Sequence, residues 1–413
     1  MLFNESASAE TYSVDLAAGI AIRNVRRRDG SAATSSVIDV TPNTRSSRDR
    51  FDWSWLRAIA APPISTGEAV AIVDLFAGCG GLSLGAAEAC RALGLRPAHV
   101  LAVELDETAA EVFAKNFTGA DVRVNPIEDI VNGAVGDAAT ARERKLRSSL
   151  GEVDLMLAGP PCQGHSDLNN HSRRDDPKNA LYLRALRFAE VFRPRHVVIE
   201  NVPGVAYDRL GVVQETTYAL LGLGYSVRTA VLNADDFGVP QRRRRHVLVA
   251  SRGDNAIVDD LQLFRSAARP VMWAIEDLVG SDTGDVFDTP ARHARVNQRR
   301  MQYLFRHDLF ELPDTQRPDC HRLKPHSYRA VYGRMYPDRP APTITAGFGS
   351  MGQGRFVHPF EPRTLTPHEA ARVQGFPDFF DFSACRGRRA LQQMIGNAVP
   401  PRLAYALAVT LLR

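Results

Sequence analysis

A cysteine on a stiffened turn is the first feature of this 413-residue chain that could do chemistry. Cys162 lies in the stretch GPPCQGHS, just after the apolar run VDLMLA (153–158). A structural cysteine usually lies inside an apolar run, where it acts as a small hydrophobic side chain. At the end of a buried strand, on a turn fixed by Pro160 and Pro161, a thiolate would instead be displayed as a nucleophile.

A glycine-rich turn and a strand-ending acid could hold a nucleoside cofactor. The stretch DLFAGCGGLSLG (74–85) runs from an apolar strand through glycines into a helix, and Glu104 ends the next strand. Glycines let the backbone approach a ligand, and the helix N-terminus offers free N–H groups. A carboxylate at the next strand end can accept hydrogen bonds from ribose hydroxyls. The spacing differs from the G-x-G-x-x-G of NAD-binding folds, so an NAD oxidoreductase is the less favoured alternative.

A second acid and a run of arginines could serve the same site. Glu200 follows the apolar run HVVI, and the Pro-Gly turn after it could hold the carboxyl group over the pocket. There it would be a candidate acid that protonates a ring nitrogen. The stretch QRRRRHVLVAS places four arginines before another strand. Since alternate side chains of an extended segment share a face, either Arg243 and Arg245 or Arg242 and Arg244 would serve the pocket. The other pair would face water or phosphate.

The order of predicted elements brings these sites together. From residue 69 onward, apolar strands alternate with helical segments, which predicts an α/β fold with an open, mostly parallel sheet covered on both faces. Ligands of such sheets bind beyond the carboxyl ends of the strands. Gly78, Glu104, Cys162 and Glu200 all fall at those ends.

The alternation of strands and helices also predicts the domain boundaries. Residues 69–252 form a Rossmann-like domain that the last stretch, 381–413, completes. Residues 253–380 are rich in Pro, Arg and His and predict a smaller, irregular second domain with strands and loops. Residues 1–68 are rich in Arg, Ser, Thr and Asp with little periodicity, and predict a largely irregular extension. We expect a solvated tail there, with a basic arm on nucleic acid as the alternative.

Composition excludes several classes of protein. The 44% hydrophobic and 24% charged content is typical of a globular protein, and no run approaches a membrane span. Five cysteines without a CxxC pair predict neither a disulfide framework nor a structural metal site, and favour a reduced, intracellular protein. The net charge of +4 decides little, although arginine, which supplies nearly all the basic residues, suits phosphate contacts.

The motifs, in this order, resemble those of the DNA (cytosine-5) methyltransferase family. The resemblance covers about residues 70–413 and leaves the extension outside. The matching stretches are DLFAGCGGLSLG, GPPCQGHS, ENV (200–202), GVPQRRRRHVLVAS, RTLTPHEAARVQGFP (363–377), RPAPTIT (339–345) and GNAVPP (396–401). The family implies a Rossmann-like S-adenosylmethionine-dependent methyltransferase domain and a smaller target-recognition domain, which would be residues 253–380.

The resemblance also implies roles for individual residues. The methyl donor would be S-adenosylmethionine, with Glu104 on its ribose and no metal. The other residues expected at the donor pocket are Phe76, Gly78, Gly80, Asp129, Ile130, Pro161 and Asn397, of which Asp129 and Ile130 would hold the adenine. The residues expected at the DNA or in the catalytic loop are Gln163, Ser166 and Gln241.

The implied reaction accounts for the displayed cysteine. The Cys162 thiolate would add to carbon 6 of a cytosine flipped out of the duplex, so that carbon 5 becomes nucleophilic and takes the methyl group. Glu200 would hold the N3 and N4 edge of the base and protonate N3. Arg243 and Arg245 would hold the base and Glu200. Residues 164–180 would be a mobile loop that closes over the DNA.

Two other functions within or near the family stay open as alternatives. A tRNA cytosine-5 methyltransferase would carry a Cys-Phe-Thr signature, which the sequence lacks. A catalytically silent DNA-binding paralogue would have lost the cysteine, the acid or the arginines, all of which are present. We expect a monomer that acts on a short double-stranded DNA sequence in the bacterial cytoplasm, near the nucleoid. A cognate restriction endonuclease is a possible partner, and the recognition sequence is not predicted.

Overall fold

A seven-stranded sheet forms the centre of the molecule. The structure is a computed structural model that describes residues 8–42, 45–161, 181–253, 259–281, 283–323 and 330–413. The strands of these residues are Glu10–Asp15 (β1), Ile20–Arg26 (β2), Ala32–Ile38 (β3), Ala69–Leu75 (β4), Arg96–Glu104 (β5), Val122–Val124 (β6), Leu155–Ala158 (β7), His196–Asn201 (β8), Tyr225–Asn233 (β9) and Arg244–Arg252 (β10). The large sheet has the order β6-β5-β4-β7-β8-β10-β9, and only β10 runs antiparallel to its neighbours. The predicted mostly parallel α/β sheet is therefore confirmed.

Helices cover both faces of this sheet. The α-helices of the described residues are Ser47–Leu56 (α1), Gly81–Ala92 (α2), Glu107–Asn116 (α3), Ala141–Leu150 (α4), Leu181–Phe192 (α5), Val212–Gly222 (α6), Val271–Ile275 (α7), Arg295–Arg306 (α8), Asp319–Arg322 (α9), Pro367–Gln374 (α10), Arg388–Asn397 (α11) and Pro401–Leu412 (α12). Successive strand residues point to opposite faces. Ile72 accordingly packs in the cluster with α2 and α12, whereas Val73 packs in the cluster with α5 and α6. Burial on both faces explains why β4 is almost continuously apolar.

The C-terminal helix α12 packs closely along α2. A β-carbon at Gly81 would lie 2.4 Å from the Val399 carbonyl oxygen, and one at Gly85 would lie 2.3 Å from that of Pro401. Only glycine allows the backbones to approach this closely. The stretch 388–412 is long and apolar enough to pass as one membrane span, but 78% of its most apolar window is buried inside the protein. Helices α11 and α12 are thus core helices of the fold.

The segment between β10 and α10 contains short helices and turns. No strand longer than a single bridge occurs among its described residues, 259–281, 283–323 and 330–366. The expectation of strands there is wrong for this part of the chain. Met301 and Leu304 of α8 instead pack with Tyr332, Met351 and Val357 in a small separate core. The domain boundaries at residues 253 and 380 stay a prediction.

The prediction of an irregular N-terminal extension is wrong. Residues 10–38 form an antiparallel sheet in the order β1-β2-β3, and helix α1 packs against it. We call residues 8–57 the N-terminal module. The alternation of buried and exposed residues in its strands is not visible in the sequence, because some inward positions are polar. Arg23 and Ser35, for example, are buried together. Arg23 also pairs with Glu88 of α2 at 2.8 Å.

The arginines of this module are bound to the rest of the protein and do not form a free tail. Arg27 donates to the Leu93 carbonyl oxygen, and Arg28 donates to that of Thr410 at 3.1 Å. Buried Glu10 accepts from Tyr405 of α12 and lies 3.4 Å from Arg402. These contacts fasten the module to the outer surface of α2 and α12.

Replacing Arg23 with alanine is expected to destabilise the whole protein by about 3 kcal/mol. The guanidinium is fully buried, pairs with Glu88 and lies over the rings of Phe51 and Tyr405. Thermal and urea unfolding would measure the loss. Arg26→Ala, at an exposed position of the same strand, is the matched control. Equal stability of the two variants would contradict a docked module.

Candidate active site

The carboxyl ends of β4, β7 and β8 meet at one place. A β-carbon built on Gly159, after β7, would lie 3.9 Å from the Phe76 carbonyl oxygen and 4.0 Å from Glu200 Oε2. Phe76 follows β4, and Glu200 lies in β8. The glycine turn, the segment that leads to the cysteine and the candidate acid are thus neighbours, as the parallel sheet predicts.

The glycine turn after β4 is bound by Glu104, the acid at the end of β5. Phe76, Gly78 and Gly80 have φ values of 58°, 55° and 99°, in the left-handed region. Gly80 requires glycine, since its β-carbon would lie 2.4 Å from the Phe117 ring. No atom comes within 4 Å of a β-carbon at Gly78, so that side of the turn is open. Glu104 Oε2 accepts from the Gly78 N–H at 2.7 Å.

These groups fit a nucleoside that carries a ribose. The Glu104 carboxylate is half-buried at the strand end, and its Oε1 accepts from two backbone N–H groups of the next turn. Its position is therefore fixed independently of any ligand. Because Glu104 Oε2 is bound to the Gly78 N–H, the carboxylate lies next to the residue whose β-carbon position is unfilled, and it can act as an acceptor for ribose hydroxyls there.

The remaining predicted donor residues follow β6 and β7 or end helix α11. Asp129 is half-buried in a short 3₁₀ turn, with Arg142 Nη1 3.8 Å away. Ile130 has its side chain in the core, so any contact with the adenine stays a prediction. Pro161 is half-buried, and Asn397 is exposed at the end of α11.

Glu200 is buried and paired with one of the two predicted arginines. Its Oε1 lies 2.6 Å from Arg245 Nε. Burial raises the pKa of Glu200, and the positive charges of Arg245 and Arg243 offset this only in part. A buried carboxyl group with a raised pKa can carry a proton near neutral pH and donate it to a ring nitrogen.

Arg243 makes backbone contacts that the sequence does not predict. Its side chain is buried, and its guanidinium donates to the carbonyl oxygens of Ile344 at 2.7 Å and Gly396 at 3.1 Å. The predicted alternation is nevertheless present, because Arg242 and Arg244 are exposed. Arg243 therefore ties the RPAPTIT and GNAVPP stretches together beside Arg245, and its positive charge lowers the pKa of Glu200. Its contact with the base stays a prediction.

Gln241 is an interior residue, so the expected position at the DNA is wrong. It is fully buried, its Oε1 accepts from the Ile344 N–H at 3.0 Å, and its Nε2 donates to Gln374 Oε1 at 2.5 Å. Gln374 in turn donates to the Ile395 carbonyl oxygen at 2.6 Å. A buried amide can satisfy both a donor and an acceptor, which suits it to link three separate stretches.

Asn201 is a positioning residue that the sequence analysis missed. Its Nδ2 donates to the Pro160 carbonyl oxygen at 3.2 Å, and its Oδ1 accepts from the Val202 N–H at 2.8 Å. The residue next to the candidate acid therefore holds the prolines that precede the cysteine. The only sequence signal for this role was its position, next to the candidate acid at the end of an apolar strand. Cys162, Gln163, Ser166 and the predicted loop 164–180 lie outside the described residues.

Among the described residues, one cluster has the residue types of a metal site, and an arginine holds it together. Ligand atoms of His358, Glu361 and Glu369 lie within 4.8 Å of one another. Arg363 pairs with both glutamates, and Glu369 also caps the start of α10. Both acids thus have a structural partner, and we interpret the cluster as an ion network that supports the start of α10.

Asp74, at the end of β4, is expected to give the protein a distinctive pH dependence. Burial raises its pKa to about 8, and the hydrogen bond from Ser83 at 2.7 Å only partly offsets this. The protonated form is thus favoured in the folded state. Its contribution to stability is complete below about pH 4 and is lost as the pH rises through about 8.

The Asp74→Asn variant can keep the hydrogen bond from Ser83 without a charge. We expect it to be more stable than the original protein above pH 8 and to lose stability less steeply between pH 5 and 9. Urea unfolding at several pH values would measure this, with the exposed Asp121→Asn as control. Identical pH profiles for all three proteins would contradict a protonated Asp74.

Comparison with solved structures places the fold among methyltransferases. A putative DNA modification methyltransferase from an E. coli prophage superposes with a TM-score of 0.57 and 22% identity over 83% of this chain and 98% of that chain. S. pombe Dnmt2 methyltransferase superposes with a TM-score of 0.55 and 17% identity over 84% of this chain and 98% of that one. The fold is that of S-adenosylmethionine-dependent methyltransferases.

Sequence comparison then defines the family. The sequence model of the family described as C-5 cytosine-specific DNA methylase matches residues 70–413. The chain belongs to this family and is a DNA (cytosine-5)-methyltransferase that uses S-adenosylmethionine. It is 50% identical to Type II methyltransferase M1.BsuMI of Bacillus subtilis over 95% of this chain and 93% of that protein. It is 32% identical to Type II methyltransferase M.DdeI of Desulfomicrobium norvegicum over 82% of this chain and 87% of that protein.

The N-terminal module lies outside the part of the chain that all these proteins share. The family match begins at residue 70, whereas the alignment with M1.BsuMI extends over 95% of the chain and therefore reaches into the module. The matches to M.DdeI and to the two solved structures cover only 82% to 84% of the chain.

Proposed function

We propose that this enzyme methylates carbon 5 of a cytosine flipped out of duplex DNA, within a specific short sequence, through a bond from Cys162 to carbon 6. The observation that carries the proposal is the buried Glu200–Arg245 pair at 2.6 Å, where β4, β7 and β8 end. Asn201, next to Glu200, holds the Pro160 carbonyl oxygen, two residues before Cys162. The acid and the segment that leads to the nucleophile are thus held at one strand end.

The chemistry follows from the poor nucleophilicity of carbon 5. The Cys162 thiolate adds to carbon 6 while Glu200 gives its proton to N3, which turns the ring into an enamine. Carbon 5 would then take the methyl group from the sulfonium of the bound donor, as the sulfur–methyl bond breaks and S-adenosylhomocysteine leaves as a neutral thioether. Loss of the carbon 5 proton to solvent re-forms the double bond, expels the thiolate and returns the N3 proton to Glu200. Arg245 holds the carboxyl group in place, and Arg243 holds the surrounding stretches.

S-adenosylmethionine supplies the methyl group from a positively charged sulfonium. Phe76, Gly78 and Gly80 form the turn that would receive it, and Glu104, which already binds the Gly78 N–H, would accept from its ribose. Asp129 and Ile130 would hold its adenine, and Pro161 and Asn397 would border the pocket. The open side of Gly78 supports this placement.

The target base leaves the duplex before it reacts. Carbon 6 of a stacked cytosine is not accessible to a side chain at the end of a buried strand, so the base enters the site only when it is extruded. The exposed Arg242 and Arg244 lie beside the opening and contact phosphate. Gln163 and Ser166 belong to the loop that closes over the DNA.

The cellular setting is proposed from the relatives. M1.BsuMI and M.DdeI are both named Type II methyltransferases. By this likeness, the enzyme protects DNA in a restriction–modification or related defence system with a cognate endonuclease. It acts as a monomer in the bacterial cytoplasm, at the nucleoid.

The reaction is tested with purified enzyme, plasmid DNA and S-adenosylmethionine labelled in the methyl group. Digestion of the product to nucleosides and mass spectrometry should give labelled 5-methyldeoxycytidine. Label in N4-methyldeoxycytidine or in an adenine derivative would contradict attack by carbon 5. Label transferred to tRNA and not to DNA would shift the substrate to RNA.

A further inference from the structure

A group of arginines near the start of α8 and of α11 lacks acidic partners. The group consists of Arg292, Arg295, Arg299, Arg386, Arg388 and Arg389, and we call it the basic surface. All except the half-buried Arg388 are exposed. Among the described residues, none of the six forms an ion pair, whereas most arginines from 259 onward do. Those paired arginines are Arg265, Arg269, Arg317, Arg322, Arg334, Arg355, Arg363, Arg372, Arg402 and Arg413.

Contacts within the structure bring the two halves of the basic surface together. Arg388 donates to the carbonyl oxygen and the hydroxyl of Thr289, three residues before Arg292. Burial and the neighbouring charge of Arg292 lower the pKa of Arg388. Arg292, just before α8, and Arg388, at the start of α11, are therefore close enough to repel one another.

Without a bound anion, the repulsion among these arginines lowers the stability of the protein. Arg295 and Arg299 are four residues apart on the exposed side of α8, since Met301 and Leu304 face the core. Like charges at this spacing destabilise a helix by a few tenths of a kcal/mol. Neither α8 nor α11 has an acidic residue in its first turn, where the helix dipole disfavours cations. A surface of this kind is stabilised when it meets a polyanion.

The position of the basic surface relative to the active site suits DNA. Helix α11 begins at Arg388 and ends at Asn397, beside the Gly396 carbonyl oxygen that Arg243 binds. Its ten residues span about 15 Å, at 1.5 Å per residue. This length corresponds to roughly four steps of 3.4 Å along a DNA strand. The basic surface therefore lies at the distance of phosphates that flank a base held at the active site.

We propose that the basic surface contacts the phosphate backbone of duplex DNA on one side of the target cytosine. The inference rests on the proposed function, because the distance of the basic surface is measured from the active site proposed above. It assigns these arginines to positioning the duplex and not to reading its sequence.

The test is the triple variant Arg295→Gln, Arg299→Gln and Arg389→Gln. Fluorescence anisotropy with a labelled 30-base-pair duplex of mixed sequence would measure the dissociation constant at several salt concentrations. We expect weaker binding by about 10- to 100-fold, and a slope of log affinity against log salt that is smaller by about 3. Binding of S-adenosylhomocysteine and thermal stability should not decrease.

The matched control removes three exposed arginines elsewhere. Arg96, Arg147 and Arg195 are exposed and form no ion pair with a described residue, and Arg96 and Arg195 lie at the amino ends of β5 and β8, away from the active site. Their triple glutamine variant has the same net charge and should keep most of the affinity and the slope. Equal losses in both variants would reduce the effect to net charge and overturn the inference, as would unchanged binding. An original protein that binds no duplex would instead refute the proposed function.

Discussion

The Cys162→Ser variant is expected to lose methyl transfer by roughly 10⁴-fold or more, because a serine hydroxyl is not ionised near neutral pH and cannot add to carbon 6. Transfer of labelled methyl groups to DNA would measure the loss. Binding of S-adenosylhomocysteine should stay within about twofold of the original, since Gly78 and Glu104, which are proposed to hold the donor, lie at the ends of β4 and β5.

A modified substrate tests the bond from Cys162 directly. With fluorine at carbon 5 of the target cytosine there is no proton to leave, so the thiolate is not expelled and the protein stays attached to the DNA. The complex should withstand denaturing electrophoresis with the original protein and be absent with Cys162→Ser. Cys320→Ser is a suitable control, because that cysteine is exposed and lies in α9, outside the residues proposed for the site. Near-normal turnover by Cys162→Ser would refute the assignment of the nucleophile.

The Glu200→Gln variant is expected to lower the turnover number by about 10²- to 10³-fold while the affinity for DNA changes little. An amide keeps the size of the side chain but has no acidic proton to give to N3. Since burial raises the pKa of Glu200, the original enzyme should lose activity as the pH rises through that pKa. This alkaline loss should be absent in the variant.

Arg245→Gln separates a catalytic from a structural role of Glu200. Removal of the guanidinium takes away the charge that lies 2.6 Å from the carboxyl group, so the pKa of Glu200 should rise and the alkaline loss of activity should move to higher pH. Equal losses of turnover, DNA affinity and thermal stability in Glu200→Gln would indicate that the carboxyl group only supports the fold.

The central sheet could be predicted because its signals are local. Parallel strands are buried on both faces and read as apolar runs, and β4 and β8 show this clearly. That Gly159, Phe76 and Glu200 lie close together then followed, because the carboxyl ends of parallel strands lie at the same edge of the sheet. The positions of these functional residues needed no knowledge of distant packing.

The roles of Gln241 and Arg243 could not be predicted in this way. Both are polar residues in a stretch that looks exposed, yet each bonds to segments more than 100 residues away in the chain. The N-terminal module was missed for the same reason. Arg23 is polar in the sequence but buried in the fold, because Glu88 of α2 compensates its charge. Such long-range pairs leave no periodic signal.

Bisulfite sequencing of the DNA of a methylation-free bacterial host that expresses this protein tests the central claim most directly. The Cys162→Ser variant, expressed at the same level, is the control. The account predicts protected cytosines in one short recurrent sequence with the original protein and none with the variant. Unprotected DNA in a host that contains soluble, donor-binding protein, or protection that persists with the variant, would contradict it.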